Sequence, residues 1–316
     1  MSTYRHGRKV TRRHRRRPLW PVVVLAVLGG VYLVTQGTGA EGPASSPIAV
    51  QRGPAIGWPV QGQAAYTTSS ISALRAGGPR TPVPIASVTK VMTAYVVLHE
   101  HPLRVGQQGP AIEITAADVV DTQRRRANEE SVVPVAAGEH LSELEALQAL
   151  LLPSANNIAV VLARDTAGSE GDFVDLMNDA AADLGLADTS YADASGMSAS
   201  SVSTAADQVV LFDAAMRDPV FAGISGSASA QLPVAGTVTN TNTLLGTQGF
   251  VAGKTGSHDA AGGCLVFRVE SRVGGRTVTI TGAVLGQHDG PQIEAALTAA
   301  RELAAQIGAS SDVRAA

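Results

Sequence analysis

The chain has 316 residues, 45% of them apolar, which is enough for one large domain or two subdomains sharing a site. Its formal net charge is −3, but residues 1–17 hold eight Lys/Arg and no acid, leaving 16 basic against 27 acidic residues elsewhere, a net of −11. A body of that sign has no cationic surplus to neutralise phosphates, which excludes a nucleic-acid-binding domain.

After the basic tail (1–17), Pro18 to Thr35 is an uncharged run rich in Val and Leu. At about 1.5 Å rise per residue it reaches ~27 Å as a helix, the hydrocarbon thickness of a bilayer. The run predicts a transmembrane anchor, with the basic flank in the cytoplasm and the body outside. A cleaved signal peptide is the alternative, since Thr38-Gly39-Ala40 offers a small-residue cleavage site. Residues 36–58, rich in Gly, Pro and Ser, read as a linker, and residues 59–312 as the folded domain.

Strands are predicted near Gln63 to Thr68 and Ser70 to Ala76. Ser87 opens a helix running to about His101, stopped by Pro102, with an apolar face broad enough for burial between layers. Leu141 to Leu151 mark a helix ended by Pro153, and Ile158, Val161 and Leu162 another that stops at Gly168, so Ser154 sits at a helix-to-helix turn. A helix from about Asp172 ends at Gly185, and Thr204 with Asp207 starts one that runs to about Met216. Phe250 to Lys254, Leu265 to Glu270 and Thr277 to Leu285 read as three antiparallel strands, the last two joined by a turn at Gly274-Gly275. A helix from about Pro291 to Ile307 closes the chain. Cys264, the only cysteine, reads as a small buried hydrophobe in the second of these strands; there is no disulfide and no cysteine metal cluster. Strands at both ends and helices between predict an α+β fold, an antiparallel sheet flanked by helices with a helical second lobe.

The chemistry is signalled by lysine usage. The chain has 21 Arg and 3 Lys, and past Lys9 the only lysines are Lys90 and Lys254. An ammonium can be desolvated and lose its proton, whereas a guanidinium stays charged. Both lysines stand in short motifs, Ser87-Val88-Thr89-Lys90 and Lys254-Thr255-Gly256, with Ser154-Ala155-Asn156 between them, separated by 67 and 100 residues. On one helix, Ser87 and Lys90 share a face, which supplies the base that a serine nucleophile needs. The helix start favours developing negative charge, so the Ser87 amide can be half of an oxyanion hole. For Lys90 to act as a base its pKa must fall, and burial plus the cation Lys254 both push it that way. Singly, Ser87 could be an N-cap, and Ser154 and Asn156 turn residues; three motifs in order are specific.

The set resembles that of the penicillin-recognising serine enzymes, S-x-x-K, S-x-N and K-T-G. The surrounding words, Pro84 to Tyr95, Leu151 to Ala159, Phe173 to Leu186 and Thr241 to Leu245 leading into the K-T-G, are most similar to D-alanyl-D-alanine carboxypeptidases among the low-molecular-mass penicillin-binding proteins. The resemblance spans roughly residues 60 to 290. It implies an acyl-enzyme on Ser87, proton relay by Ser154, orientation of the substrate amide by Asn156, and a cleft-edge strand on which Lys254 and Thr255 bind the substrate carboxylate. Gly256 allows close approach and Ser257 donates the second oxyanion N–H. The implied partners are a peptidoglycan stem peptide ending in D-Ala-D-Ala, β-lactams and the membrane; no cofactor and no metal are implied.

Asn157 where members often have Asp, Ser257-His258 after the K-T-G, and no His before Ser203-Thr204 depart from the pattern. The rival readings are a β-lactamase-like hydrolase, disfavoured by the lack of an E-x-x-L-N segment, and a membrane-tethered penicillin- or muropeptide-binding protein with little turnover. A P-loop fails because Gln248 stands where its first Gly belongs, and a Ser-His-Asp triad fails because no G-x-S-x-G elbow exists.

Overall fold

The computed structural model describes residues 48–51 and 55–314, all within one compact unit, Pro43–Ala316. The predicted tail, the predicted span and most of the linker lie outside the described residues. Among the described residues no helix is long and apolar enough to cross a membrane.

Strands β1 (Gln63–Thr68) and β2 (Ile71–Gly77) come first, then the two-residue β3 (Val83–Pro84). A 3₁₀ turn, Ala86–Thr89, leads into α1 (Lys90–Glu100). Next come β4 (Ala111–Glu113), α2 (Ala116–Ala127), β5 (His140–Ser142), α3 (Glu143–Leu151), α4 (Asn156–Ala167) and α5 (Glu170–Asp183). They are followed by β6 (Val202–Ser203), α6 (Ala205–Ala215), α7 (Pro219–Ser225) and the hairpin of β7 (Ser229–Leu232) and β8 (Gly236–Thr239). The long strands β9 (Phe250–His258), β10 (Gly262–Val273) and β11 (Arg276–Gln287) precede α8 (Gln292–Ala309) and α9 (Ser311–Arg314).

The five-stranded sheet has the order β2-β1-β11-β10-β9 and is antiparallel throughout. Both ends of the chain therefore build one sheet, with Tyr66 of β1 opposite Gly282 of β11. The K-T-G strand β9 lies at its edge. One face is covered by α8, whose Leu297, Leu303 and Ile307 pack with Phe250, Phe267 and Ile280. The other face joins the larger core, which runs through α1, α3, α4 and α6. Each large apolar side chain buried there contributes roughly 1.5–3 kcal/mol.

Helix α1 is buried from Lys90 to Leu98 except for Tyr95, as its nearly continuous apolar sequence requires. Its start differs from expectation. Ser87 does not cap an α-helix: it lies inside the 3₁₀ turn, after Ala86, which holds a left-handed φ of 46°. That conformation costs a non-glycine residue about 1–3 kcal/mol and is tolerated where packing over-determines it. The packing is visible at Gly196 (φ 80°), where a Cβ would sit 1.9 Å from the Ala86 carbonyl oxygen.

Local signals explain the lobe's helices. Thr115 with Asp118 and Ser142 with Glu145 form reciprocal capping boxes on α2 and α3, Gly168 ends α4 in the left-handed region (φ 85°), and Thr204 accepts from Asp207 N at α6. Leu141 belongs to β5 instead of the helix, because the Ser142 cap sets the first turn after it.

Glu143, the first residue of α3, is 1% exposed, and neither carboxylate oxygen has a hydrogen-bond partner; His101 Nδ1 stands 3.7 Å away. Burial, with Asp165 adding repulsion, pushes its pKa up from 4.5 to about 7. The folded state then binds the proton more tightly than the unfolded chain, so this group's contribution is fully present below pH 4.5 and is lost as pH rises to about 7. Glu143→Gln should raise Tm by about 2 °C or more at pH 8 and change it little at pH 4.5, by thermal unfolding at both values. A lower Tm at pH 8 would contradict this.

Candidate active site

The three motifs converge where β9 meets the 3₁₀ turn. Lys90 is fully buried and its Nζ lies 2.8 Å from Ser87 Oγ, 2.6 Å from Asn156 Oδ1 and 2.6 Å from the Ser195 carbonyl oxygen. Burial, reinforced by the positive charge of Lys254, holds its pKa well below the usual lysine value. A neutral amine has two hydrogens and one lone pair. Asn156 Oδ1 and the Ser195 carbonyl can only accept, so they take the two hydrogens, and the lone pair is left facing the Ser87 hydroxyl. That is the arrangement of a general base for a serine nucleophile.

Ser154 follows α3 in the left-handed region (φ 66°), which turns the chain sharply into α4. Its Oγ accepts from Lys254 Nζ at 2.9 Å, and the same Nζ donates to the Thr255 carbonyl at 2.8 Å. Lys254 is 1% exposed, and burial lowers its pKa to about 7. Thr255 Oγ1 is 2.5 Å from Thr241 Oγ1, so the Thr241 segment is tied to the K-T-G strand. Gly256 is required by close approach: a Cβ there would lie 2.8 Å from the backbone nitrogens of Ser87 and Val88 and 3.0 Å from the Ile85 carbonyl. Ser257 follows on β9, opposite Gly263 of β10.

All eight residues singled out in the sequence therefore belong to two linked clusters: Ser87, Lys90 and Asn156, and Ser154, Lys254 and Thr255, with Gly256 and Ser257 continuing the strand beside the nucleophile. The Asn156 amide is held from both ends within the protein, its Oδ1 accepting from Lys90 and its Nδ2 donating to Glu130 Oε2 at 3.0 Å.

Sequence reasoning passed over Ser195, Asp193, Glu130 and Arg125. Ser195 acts through its carbonyl, which no side-chain motif records. Asp193 shapes that loop, accepting from Ser195 Oγ (2.7 Å), Met197 N (2.9 Å) and Ser201 Oγ (2.6 Å), and Thr93 of α1 fastens it by donating to the Ala194 carbonyl at 2.6 Å. The clue was Asp193 two residues before Ser195 and three before Gly196, a carboxylate poised to fold a Gly turn. Half-buried His258 departs from the common K-T-G sequel; its Nδ1 accepts from Ala261 N at 3.2 Å.

Comparison with known proteins bears on the fold and the family. The structure superposes on the Streptomyces K15 DD-transpeptidase with a TM-score of 0.68 at 26% identity, covering 80% of this chain and all of that one. On a D-alanyl-D-alanine carboxypeptidase from Mycobacterium tuberculosis H37Rv the TM-score is 0.63 at 28% identity, covering 83% and 94%. In sequence, a D-alanyl-D-alanine endopeptidase of Pseudomonas aeruginosa is 30% identical over 228 residues, 68% of this chain and 70% of that protein. A D-alanyl-D-alanine carboxypeptidase of Mycobacterium tuberculosis is 37% identical over 185 residues, 56% of this chain and 59% of that protein. The D-alanyl-D-alanine carboxypeptidase family profile matches residues 66–287, the stretch that carries all three motifs. A buried lysine bonded to a serine, a second lysine bonded to a second serine, and this match over more than half of the sequence together place the chain in the D-alanyl-D-alanine carboxypeptidase family of serine peptidases.

Proposed function

We propose that the chain trims peptidoglycan stem peptides ending in D-Ala-D-Ala, as a carboxypeptidase working through an acyl-enzyme on Ser87. The observation that carries this reading is the Lys90 hydrogen-bond set, in which a neutral amine has its lone pair left only toward Ser87. Lys90 takes the Ser87 proton as Oγ attacks the penultimate D-Ala carbonyl. The Ser87 amide, in the 3₁₀ turn ahead of α1, and the Ser257 amide on the edge strand receive the oxyanion. Lys254, Ser154 and Thr255 form the cationic and hydroxyl face that fits the terminal carboxylate, and Ser154 relays the proton to the leaving D-Ala amine. Water then releases the shortened peptide and the free serine.

A β-lactam presents the same amide and carboxylate and acylates the same oxygen. With no E-x-x-L-N segment to activate a deacylating water, the adduct is long-lived. The basic tail followed by the uncharged Pro18 to Thr35 supports anchoring in the cell membrane with the catalytic domain on the extracytoplasmic face.

The test has two arms. Incubation of the purified enzyme with a pentapeptide ending in D-Ala-D-Ala should release one D-Ala per peptide, and peptide mass mapping after fluorescent penicillin should find the label on Ser87. On intact cells the same impermeant label should reach the enzyme and sediment with membranes. An adduct on another serine, or penicillin hydrolysed in large excess, would overturn the carboxypeptidase reading; labelling only after lysis would overturn the topology.

A further inference from the structure

Glu130 and Arg125 lie outside every motif, yet one side chain connects them to the base. Glu130 Oε2 accepts from Asn156 Nδ2 at 3.0 Å and from Arg125 Nη1 at 2.8 Å, and Arg125 Nε donates to Asp121 Oδ2 at 2.5 Å. The Glu130 and Arg125 side chains are 10% and 12% exposed, shielded enough for these bonds to be held in one geometry. A backbone bond from Asn156 N to the Ser131 carbonyl, at 2.8 Å, fastens the loop to the start of α4 independently.

We propose that Glu130, held by Arg125, is a positioning residue that fixes the orientation of the Asn156 amide and thereby aims the Lys90 lone pair at Ser87. A carboxylate can only accept, so Asn156 must turn its NH₂ toward Glu130 and its oxygen toward Lys90. With the amide turned over, its N–H would face Lys90 and take the lone pair. The amine's hydrogens would then point to the Ser195 carbonyl and to Ser87 Oγ, and the hydroxyl would be offered a proton instead of giving one up. The charged Glu130 forbids that state; a neutral amide at 130, with one acceptor and one donor end, permits both. Asn156 touches the reacting amine, and the hydrogen-bond route from Glu130 to that amine runs through it; the direct fields of Glu130 and Arg125 at Lys90 are opposite in sign.

The inference rests on Lys90 being the base for Ser87. The experiment is a double-mutant cycle on the full chain, reading the second-order acylation rate with one fluorescent penicillin in wild type, Glu130→Gln, Asn156→Ala and the double variant, each checked for Tm. Glu130→Gln should slow acylation about 10-fold in the wild-type background, a fraction of what a general base supplies, and change it less than about twofold once Asn156 is alanine. Loss in both backgrounds by the same factor would mark a structural role and overturn the proposal, as would a wild-type rate in Glu130→Gln. If Glu130→Gln fails to fold, Arg125→Gln enters the same cycle with the same expectation that its loss depends on Asn156. A wild-type enzyme that is not acylated on Ser87 overturns the parent reading along with this one; normal acylation with a failed cycle overturns this one alone.

Discussion

Lys90→Arg should lower the second-order rate of Ser87 acylation by about 10² to 10⁴, the range that a positioned general base supplies. The change keeps hydrogen-bond donors but fixes a positive charge and removes the ability to shed a proton. Lys90 is fully buried, and burial with the nearby Lys254 holds its pKa well below the usual lysine value, so the wild-type amine gives up its proton far more readily than an exposed lysine. A guanidinium in the same place stays charged and offers no lone pair. Because arginine is larger, Lys90→Met is the companion variant: it removes the base while fitting the site, so loss in both at a wild-type Tm isolates the missing base from overpacking. Acylation of either variant at the wild-type rate would rule Lys90 out as the base.

Lys254→Ala should lower acylation by about 10² to 10³, the scale of losing one preorganised electrostatic donor, and Lys254→Arg should retain more, because charge is what the substrate carboxylate requires. Equal rates for the two would remove the charge argument. The pKa of about 7 adds a pH signature. In the free enzyme the charge is present below pH 7 and is lost above it, so affinity for a carboxylate-bearing substrate should weaken as pH rises through 7, while an uncharged ester analogue should show a flat profile. Stability moves the other way. Between about 7 and 10.5 the unfolded chain holds a proton that the buried amine has given up, so the stability contribution of Lys254 rises with pH across that window. Lys254→Met should flatten this rise in denaturant titrations at pH 7 and 9.5.

The fold was legible wherever periodicity and punctuation agreed. β1 stands at Gln63–Thr68 as expected, Gly274 and Gly275 turn between β10 and β11 with left-handed φ of 57° and 84°, and Gly168 ends α4 as its position implied. The three C-terminal strands run longer than their apolar cores suggested, because ladder pairing with neighbours carries Ser257, His258, Arg272 and Arg276 along. Helix α2 went unread because its polar sequence buries only Thr122, and its capping box was the one signal it gave. The site's nucleophile and lysines were legible because side-chain identity matters there. The 3₁₀ start of α1 was not, since it depends on Gly196 and Gly256 crowding Ala86 and Ser87 from distant parts of the chain. The Ser195 carbonyl and the Glu130 carboxylate were hidden for related reasons, one being backbone and the other bonded to Asn156 and not to Lys90 itself.

Both lysines of the folded body are sealed from solvent, at 0% and 1% exposure, so every cation on its surface is a guanidinium or an imidazolium. Amine-directed chemistry therefore finds no side-chain target on the native catalytic domain. An activated ester would reach Lys90 and Lys254 only after the fold opens. That makes the labelling of these two side chains a readout of opening of the catalytic domain.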